Sequence, residues 1–372
     1  DAARLVEAEI RKWGDLAVDG HFAEEAPWYT YPELLREPAA RIVGARPHEI
    51  ATMNGLTVNL HLLMVSFYRP TRERFKILVE SPAFPSDLYA VKTQLRHHGL
   101  DPREALVEAR PRAGEATVRE QDIEGILERD GKRIALVMIG GVNFVTGQRF
   151  DLARITRAAR AQGCRVGFDL AHAAGNVPLR LHDWDVDFAV WCGYKYLNGG
   201  PGTVAGAFVH ERHVRDPRIP RFGGWWGNDP ATRFRMHLEE EFVPVASADG
   251  WQLSNPPILA LAALRASLAI FDEAGMEALR RKSIALTGYL ERLLDRLPEG
   301  RVSVITPRDP EARGCQLSIV VHGGSRATRD ALQRDGLVCD FREPNVIRVA
   351  PTPLYNTFHD AWCFVRALER LV

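Results

Sequence analysis

Between about residue 47 and residue 210, short apolar runs alternate with stretches of helical periodicity, and this alternation constrains the fold more than any other feature of the 372-residue chain. A helix from Leu56 precedes a strand Phe75 to Val79. A helix from Asp87, a strand Leu106 to Ala109 and a helix from Glu120 follow. The pattern continues through strand Ile134 to Ile139, a helix from Leu152, and strands Arg165 to Leu170, Asp187 to Trp191 and Gly206 to His210. A parallel strand pair needs a helix-length crossover, so such alternation implies a mainly parallel sheet covered on both faces. The fold class is α/β, with a seven-stranded sheet expected.

Ahead of this region, residues 3 to 18 carry helical periodicity (Leu5, Val6, Ile10, Trp13, Leu16, Ala17) that breaks at Asp19-Gly20, leaving His21 in a loop. After Pro256-Pro257 the texture changes. A long helical stretch, Leu259 to about Leu297, carries Gly275 and Gly288, which suggest one or two breaks. Strands Val302 to Ile305, Gln316 to Val321 and Val346 to Val349 then alternate with helices near Thr328 to Arg334 and from His359, which describes a small C-terminal α+β lobe. A chain this long exceeds what one core usually supports. The expected organisation is an N-terminal helix and arm (1–46), a large domain (47–257) and a small domain (258–372), without internal repeats.

Hydrophobic residues at 46% and charged residues at 26% exclude a disordered chain. The 48 basic and 48 acidic residues are scattered, so there is no electrostatic footprint for nucleic acid, and a small neutral or zwitterionic partner suits the chain better. The longest apolar stretches are interrupted by Asn59 and His61 or by Arg265, and no membrane segment is expected. Asp1-Ala2-Ala3-Arg4 opens no signal pattern. Cys164, Cys192, Cys315, Cys339 and Cys363 form neither a paired framework nor a CxxC, so a cytoplasmic protein without a metal is expected.

Lysine is scarce, which shortens the search for a reactive amine: only Lys12, Lys76, Lys92, Lys132, Lys195 and Lys282 are present. Five of them read as solvated surface on amphipathic helices, in a turn or beside a strand. Lys195 differs, because Cys192-Gly193-Tyr194-Lys195-Tyr196 follows an apolar strand and precedes Asn198-Gly199-Gly200-Pro201-Gly202. Open α/β sheets place ligands at the carboxyl ends of strands, and glycines there let backbone approach a bound group. A second strand ends in Asp169-Leu170-Ala171-His172. A lysine that carries a pyridine-ring cofactor needs a carboxylate partner of this kind, since the ring withdraws electrons only while its nitrogen stays protonated. Capping the next helix is the commoner role of an aspartate after a strand.

These residues resemble the kynureninase family of fold-type I pyridoxal-phosphate enzymes. The resemblance runs through Met53-Asn54-Gly55-Leu56-Thr57-Val58-Asn59, Phe84-Pro85-Ser86-Asp87, Gly167-Phe168-Asp169-Leu170-Ala171-His172-Ala173 and Trp191-Cys192-Gly193-Tyr194-Lys195-Tyr196-Leu197-Asn198. It extends to Trp225-Trp226, Leu253-Ser254-Asn255-Pro256-Pro257-Ile258 and Ile347-Arg348-Val349-Ala350-Pro351. The resemblance implies pyridoxal 5'-phosphate on Lys195, with Asp169 at the ring nitrogen, His172 at the polar edge and Phe84 stacked on the ring. Leu56 and Thr57 are similar to phosphate-holding residues at a helix start. Pro85, Ser86 and Asp87 belong to the same shell, and Tyr194 resembles a tyrosine that touches the phosphate and assists proton transfer. Trp225 and Asn255 resemble contacts from a neighbouring subunit, which implies a homodimer with shared active sites. Arg348 is similar to the arginine that clamps the substrate carboxylate, with His21 and Asn255 near the substrate. Core packing for Phe84, helix capping for Thr57 and a plain interface role for Trp225 remain alternatives.

Two departures stand out. Gly140 occupies a place where the family often has serine or threonine, so one hydroxyl is missing. The Asn-Ser-Leu-Gly type segment that precedes the family's first helix is not within these residues. The implied reaction is hydrolytic Cβ–Cγ cleavage of kynurenine, or its 3-hydroxy form, to anthranilate or 3-hydroxyanthranilate and alanine, in tryptophan and kynurenine metabolism. The rival readings are a cysteine desulfurase-like lyase, which needs a reactive cysteine on a mobile loop, and a non-catalytic regulator of the same fold.

Overall fold

The computed structural model describes residues 1–216 and 218–372. Helices α1 (Ala2–Leu16) and α2 (Glu33–Val43) lead into β1 (Ile50–Thr52) and α3 (Leu56–Phe67). Next come β2 (Lys76–Glu80), α4 (Pro85–His97), the single turn α5 (Pro102–Ala105), β3 (Leu106–Ala109), α6 (Glu120–Asp130) and β4 (Ile134–Gly140). Helix α7 (Leu152–Ala161), β5 (Arg165–Asp169), β6 (Phe188–Trp191), β7 (Gly206–Val209) and the short α8 (Glu211–Val214) complete the first part. The second holds α9 (Ile258–Ala274), α10 (Met276–Leu294), β8 (Val302–Val304), β9 (Leu317–Val321), α11 (Arg326–Arg334), β10 (Asp340–Arg342), β11 (Val346–Val349) and α12 (Phe358–Glu369).

Strand β4 begins with six apolar residues on both of its faces, and such a run is stable only where both faces are covered. It lies inside a seven-stranded sheet of order β1-β7-β6-β5-β4-β2-β3. The pairs among β3, β2, β4, β5 and β6 are parallel, while β7 runs antiparallel to β6 and β1. One face packs on a core that includes Leu152, Ile155, Leu261, Leu264, Leu268 and Phe271, so α9 covers the large sheet. The other face packs under α3 and α4 through Leu60, Met64, Val91 and Leu95. A four-stranded antiparallel sheet, β10-β11-β9-β8, forms the smaller C-terminal domain, whose core begins at Leu290 and includes Leu317, Ile319, Ile347 and Phe364.

Expected and observed elements agree closely in type; the unforeseen ones are the short α5 and α8, together with α2, β1 and β10. Helix α2 contains Pro38, which reads as a breaker, yet it buries Leu35, Ala39, Ile42 and Val43 and stops at Gly44. Gly44 has φ 64°, and a side chain there would run into the backbone of Arg180, so only glycine fits. Strands β1 and β10 are three residues each, too short for period-2 patterning to register. The long helical stretch has one break, of the one or two expected: Gly275 separates α9 from α10 at φ 74°. Gly288 breaks nothing and stays inside α10.

Candidate active site

The carboxyl ends of β2, β4, β5 and β6 converge on Lys195. Beyond β6 the chain folds back on itself: the amide of Gly199 donates to the carbonyl of Gly193 at 2.9 Å, and the amide of Asn198 to that of Lys195 at 3.0 Å. This closed loop directs the lysine inward, with Nζ 5.3 Å from the centroid of the Phe84 ring. Phe84 immediately precedes α4, where Pro85 at the first helical position fixes the entry of the chain, and its ring meets that of Phe144 edge-on at 5.2 Å. Phe84, Phe144, His172, Tyr194, Lys195, Tyr196, Gln316, Asp340, Arg342, Arg348, Ala350, Thr352 and Tyr355 line one cavity of about 400 Å³ between the two sheets.

Three of the other lysines are engaged elsewhere, and two of them correct the expectation of solvated surface. Lys12 donates to the carbonyls of Glu25 and Ala26 at 2.8 and 2.7 Å, and Lys76 is largely buried against Asp130, so neither is a solvated surface residue. Lys282 binds the carbonyl of Pro353 at 2.6 Å. The elimination that singles out Lys195 stands on this pairing instead.

Below the lysine lies a nest of acids. Asp169 ends β5 buried, with Oδ1 accepting the amide of Ala171 at 2.7 Å, so it also caps a local turn. Asp87, in the first turn of α4, comes within hydrogen-bonding reach of Asp169. Burial first, and then the charge of Asp169, push the Asp87 carboxyl up to about 10, so at neutral pH it holds a proton toward its neighbour. Glu80, at the end of β2, is the third member and was not foreseen. It accepts the amide of Gly140 at 3.2 Å, and burial pushes its carboxyl up to about 7. A Cβ on residue 140 would sit 2.9 Å from Glu80 Oε1. The carboxylate thus fills the space left by the absent side chain, which accounts for the glycine.

Two helix starts face each other nearby. Thr57, at the second position of α3, and Ser86, at the second position of α4, bring their hydroxyls to 3.1 Å. Gly55 caps α3 without a side-chain bond, so the first amides at Leu56 and Thr57 remain free for an anion. His172 is half-buried, and its Nδ1 is shielded from solvent without a partner among the described residues, as is Oδ1 of Asp87. Burial, then the charges of Lys195, Arg348 and Arg342, hold the imidazole well below its ordinary range, so it is neutral. Tyr194 is more than half exposed, and its hydroxyl, beside Cys192, is pushed up to about 12 by that neighbour and by partial burial. The orphaned buried atoms, the facing hydroxyls and the aromatic beside the amine fit a phosphorylated, protonated heterocycle.

Arg348 reaches the same cavity from β11. Trp225 and Asn255 do not: they bond each other, Nε1 to Oδ1 at 2.5 Å, within an aromatic group that includes Trp226 and Phe234. His21 packs edge-on against Trp28 at 5.3 Å and is not part of the cavity lining within one chain. Cys315 is fully buried beside the Tyr196 hydroxyl, and burial pushes its thiol up to about 12. Such a thiol is a poor nucleophile, so Cys315 does not fit the reactive cysteine on a mobile loop that a desulfurase reading requires. One further cluster, Glu49, His182 and His210, places its ligating atoms within 4.8 Å of one another. Those atoms are already committed: Glu49 accepts the amides of Arg46 and Glu211 and pairs with His182, and His210 accepts the amide of Arg212. No helix among the described residues is long and apolar enough to cross a membrane.

A family model described as the kynureninase C-terminal domain matches residues 279–368. The chain is 59% identical over 361 residues to a protein named kynureninase from Koribacter versatilis, covering 97% of this chain and 85% of that one. Identity to the Myxococcus xanthus kynureninase is 59% over 369 residues, with 99% and 86% covered. Among solved structures, a C-DES mutant with glycine covalently linked to its PLP cofactor superposes with a TM-score of 0.83 at 19% identity, covering 99% of this chain and 92% of that one. A cysteine desulfurase from Thermococcus onnurineus gives 0.80 at 18% identity, with 100% and 91% covered. At that identity the structural likeness establishes the fold alone.

Proposed function

The chain belongs to the kynureninase family, and from that premise we propose that Lys195, Asp169, Tyr194 and Arg348 carry the reaction in the cavity between its two sheets. The enzyme is a hydrolase of carbon–carbon bonds: it cleaves the Cβ–Cγ bond of kynurenine, or its 3-hydroxy form, to anthranilate or 3-hydroxyanthranilate and alanine. Pyridoxal 5'-phosphate is the cofactor and, when bound, supplies the electron sink. Lys195 holds it covalently and then moves the proton at the substrate α-carbon. Asp169, backed by the proton on Asp87, keeps a proton on the ring nitrogen. Phe84 would stack on the ring and His172 would lie at its polar edge. The hydroxyls of Thr57 and Ser86 and the amides at Leu56 and Thr57 hold the phosphate.

Arg348 binds the substrate carboxylate. Water adds to the side-chain ketone, the Cβ–Cγ bond of the hydrate breaks, and Tyr194 delivers the proton to the carbon that becomes the methyl group of alanine. Trp225 and Asn255 contribute from a second copy of the chain, so the working form is a homodimer, and His21 lies at the aryl end of the substrate. The division into an arm (1–46), a large domain (47–257) and a small domain (258–372) accompanies this reading. So does a cytoplasmic setting, which the five free thiols support.

The observation that carries the proposal is the convergence of Lys195, Phe84, His172 and Arg348 on one cavity. The test follows anthranilate fluorescence after kynurenine is added to the loaded enzyme. Turnover must fall by roughly 10²- to 10⁴-fold in Lys195→Ala and persist in Cys315→Ala. Unchanged turnover in Lys195→Ala overturns the assignment, and sulfide release from cysteine with no anthranilate from kynurenine restores the desulfurase reading.

A further inference from the structure

Arg348 does not stand alone in the cavity wall. It lies directly opposite Asp340 in the antiparallel register of β11 and β10, so the two side chains project from the same face of the small sheet. Its Nε donates to Asp340 Oδ2 at 2.6 Å, and Nη2 pairs with that same oxygen. Nη1 donates to the backbone carbonyl of Phe144, whose ring stands against Phe84. A guanidinium carries five N–H groups in one plane. Three are taken by these contacts, which leaves one on each terminal nitrogen.

Arg342 completes the arrangement. Two residues along β10 from Asp340, it shares that strand face, donates Nε to the same Oδ2 at 3.0 Å, and lies 5.9 Å from the Phe144 ring centroid. One carboxylate oxygen therefore collects both arginines. The side chain of Asp340 is about half exposed, at 47%, while that of Arg348 is only 11% exposed. The aspartate thus stands at the rim and the arginine it holds is buried. All three residues line the cavity that contains Lys195.

We propose that Asp340 is a positioning residue for the substrate's carboxylate: together with the Phe144 carbonyl it fixes the plane of the Arg348 guanidinium and leaves its two terminal N–H groups for the ligand. This rests on the reading of Arg348 as the carboxylate clamp. It goes beyond that reading by assigning the clamp's geometry to an acid that never touches the substrate. Asp340 also cancels one of the two arginine charges, so that the pair meets a monoanion with a net charge of one. An arginine free to rotate has to be ordered by each arriving substrate, whereas one held in plane does not.

The experiment compares KM and kcat for kynurenine in the loaded enzyme carrying Asp340→Ala, Asp340→Asn and Arg348→Ala, alongside inhibition by a kynurenine analogue lacking the α-carboxylate. Asp340→Ala is expected to raise KM about tenfold or more, with kcat within about twofold and the analogue's inhibition unchanged. Asp340→Asn keeps an oxygen able to accept both N–H groups and is expected to recover most of the loss. Its near-identical shape also preserves the test if the alanine variant does not fold. A lowered KM in Asp340→Ala overturns the proposal, because the acid then competes with substrate for the arginine. Equal losses in the asparagine and alanine variants also overturn it, since charge rather than placement is then at work. Weakened analogue binding would count against it too. If Arg348→Ala itself leaves KM unchanged, the clamp reading fails; if Arg348→Ala is impaired while Asp340→Ala is not, only the positioning role fails.

Discussion

Asp87, in the first turn of α4, lies within hydrogen-bonding reach of Asp169 at the end of β5, so the proton that burial keeps on Asp87 stands between two buried acids where a ring nitrogen is to be received. Without the cofactor this arrangement costs stability. Asp87 and Glu80 have folded values raised to about 10 and about 7, so below the ordinary carboxylate range both folded and unfolded chains are protonated and the acids are neutral in effect. As pH rises above that range, the unfolded chain gives up protons that the folded chain retains, and stability falls until about 7 for Glu80 and about 10 for Asp87. The cofactor-free protein is therefore expected to melt at progressively lower temperature from mildly acidic to alkaline pH. Asp87→Asn should flatten that slope and raise the melting temperature at neutral pH. A melting temperature in Asp87→Asn that is lower than wild type at every pH counts against a proton held on Asp87.

The pairing of Glu80 with Gly140 makes a second expectation. Serine at 140 would bring Cβ to 2.9 Å from Glu80 Oε1. Gly140→Ser is expected to destabilise the chain by about 1–3 kcal/mol through crowding, and the penalty should shrink in a Glu80→Ala background. A double-mutant cycle by chemical denaturation reads the coupling directly. Additive effects of the two substitutions argue that the glycine has another cause.

The shared-site homodimer is tested by mixing inactive partners. Lys195→Ala protomers and Trp225→Ala protomers should each form poorly active homodimers. If they exchange subunits, half of the dimers are hybrids with one intact site, and about a quarter of wild-type turnover should return. No recovery, under conditions where native mass spectrometry shows hybrid dimers, places Trp225 in the site of its own chain or in none.

The sequence shows much of this architecture because its long elements satisfy simple rules. Strands such as β4 are apolar on both faces, and α6 and α7 begin where their patterns begin, at Glu120 and Leu152. Lys195 and Asp169 stand out in the sequence because they come at or just after the ends of apolar strands, where a polar residue has no structural necessity, whereas Phe84 stands out only through its resemblance and the adjoining Pro85-Ser86-Asp87. Glu80 also ends such a strand, and that signal was available. Asp340 and Arg342 had none: β10 is three residues long, and two charges around Phe341 read as surface. Their meaning depends on register with β11, a long-range relation that no local pattern encodes. Of the one or two breaks the glycines suggest, only Gly275 makes one, because a glycine costs an exposed helix only about 1 kcal/mol and α10 absorbs Gly288 within its 19 residues.

The amine that does the chemistry belongs to the large sheet, while the guanidinium proposed to seize the substrate's acid group belongs to the small one, and a single kink at Gly275 joins the helices between them. A bound amino acid is then a strut spanning two independently built lobes. The amine and the carboxylate it would present to the two lobes sit on one carbon, so on that reading the frame selects the α-amino acid head and leaves the choice of side chain to the cavity walls.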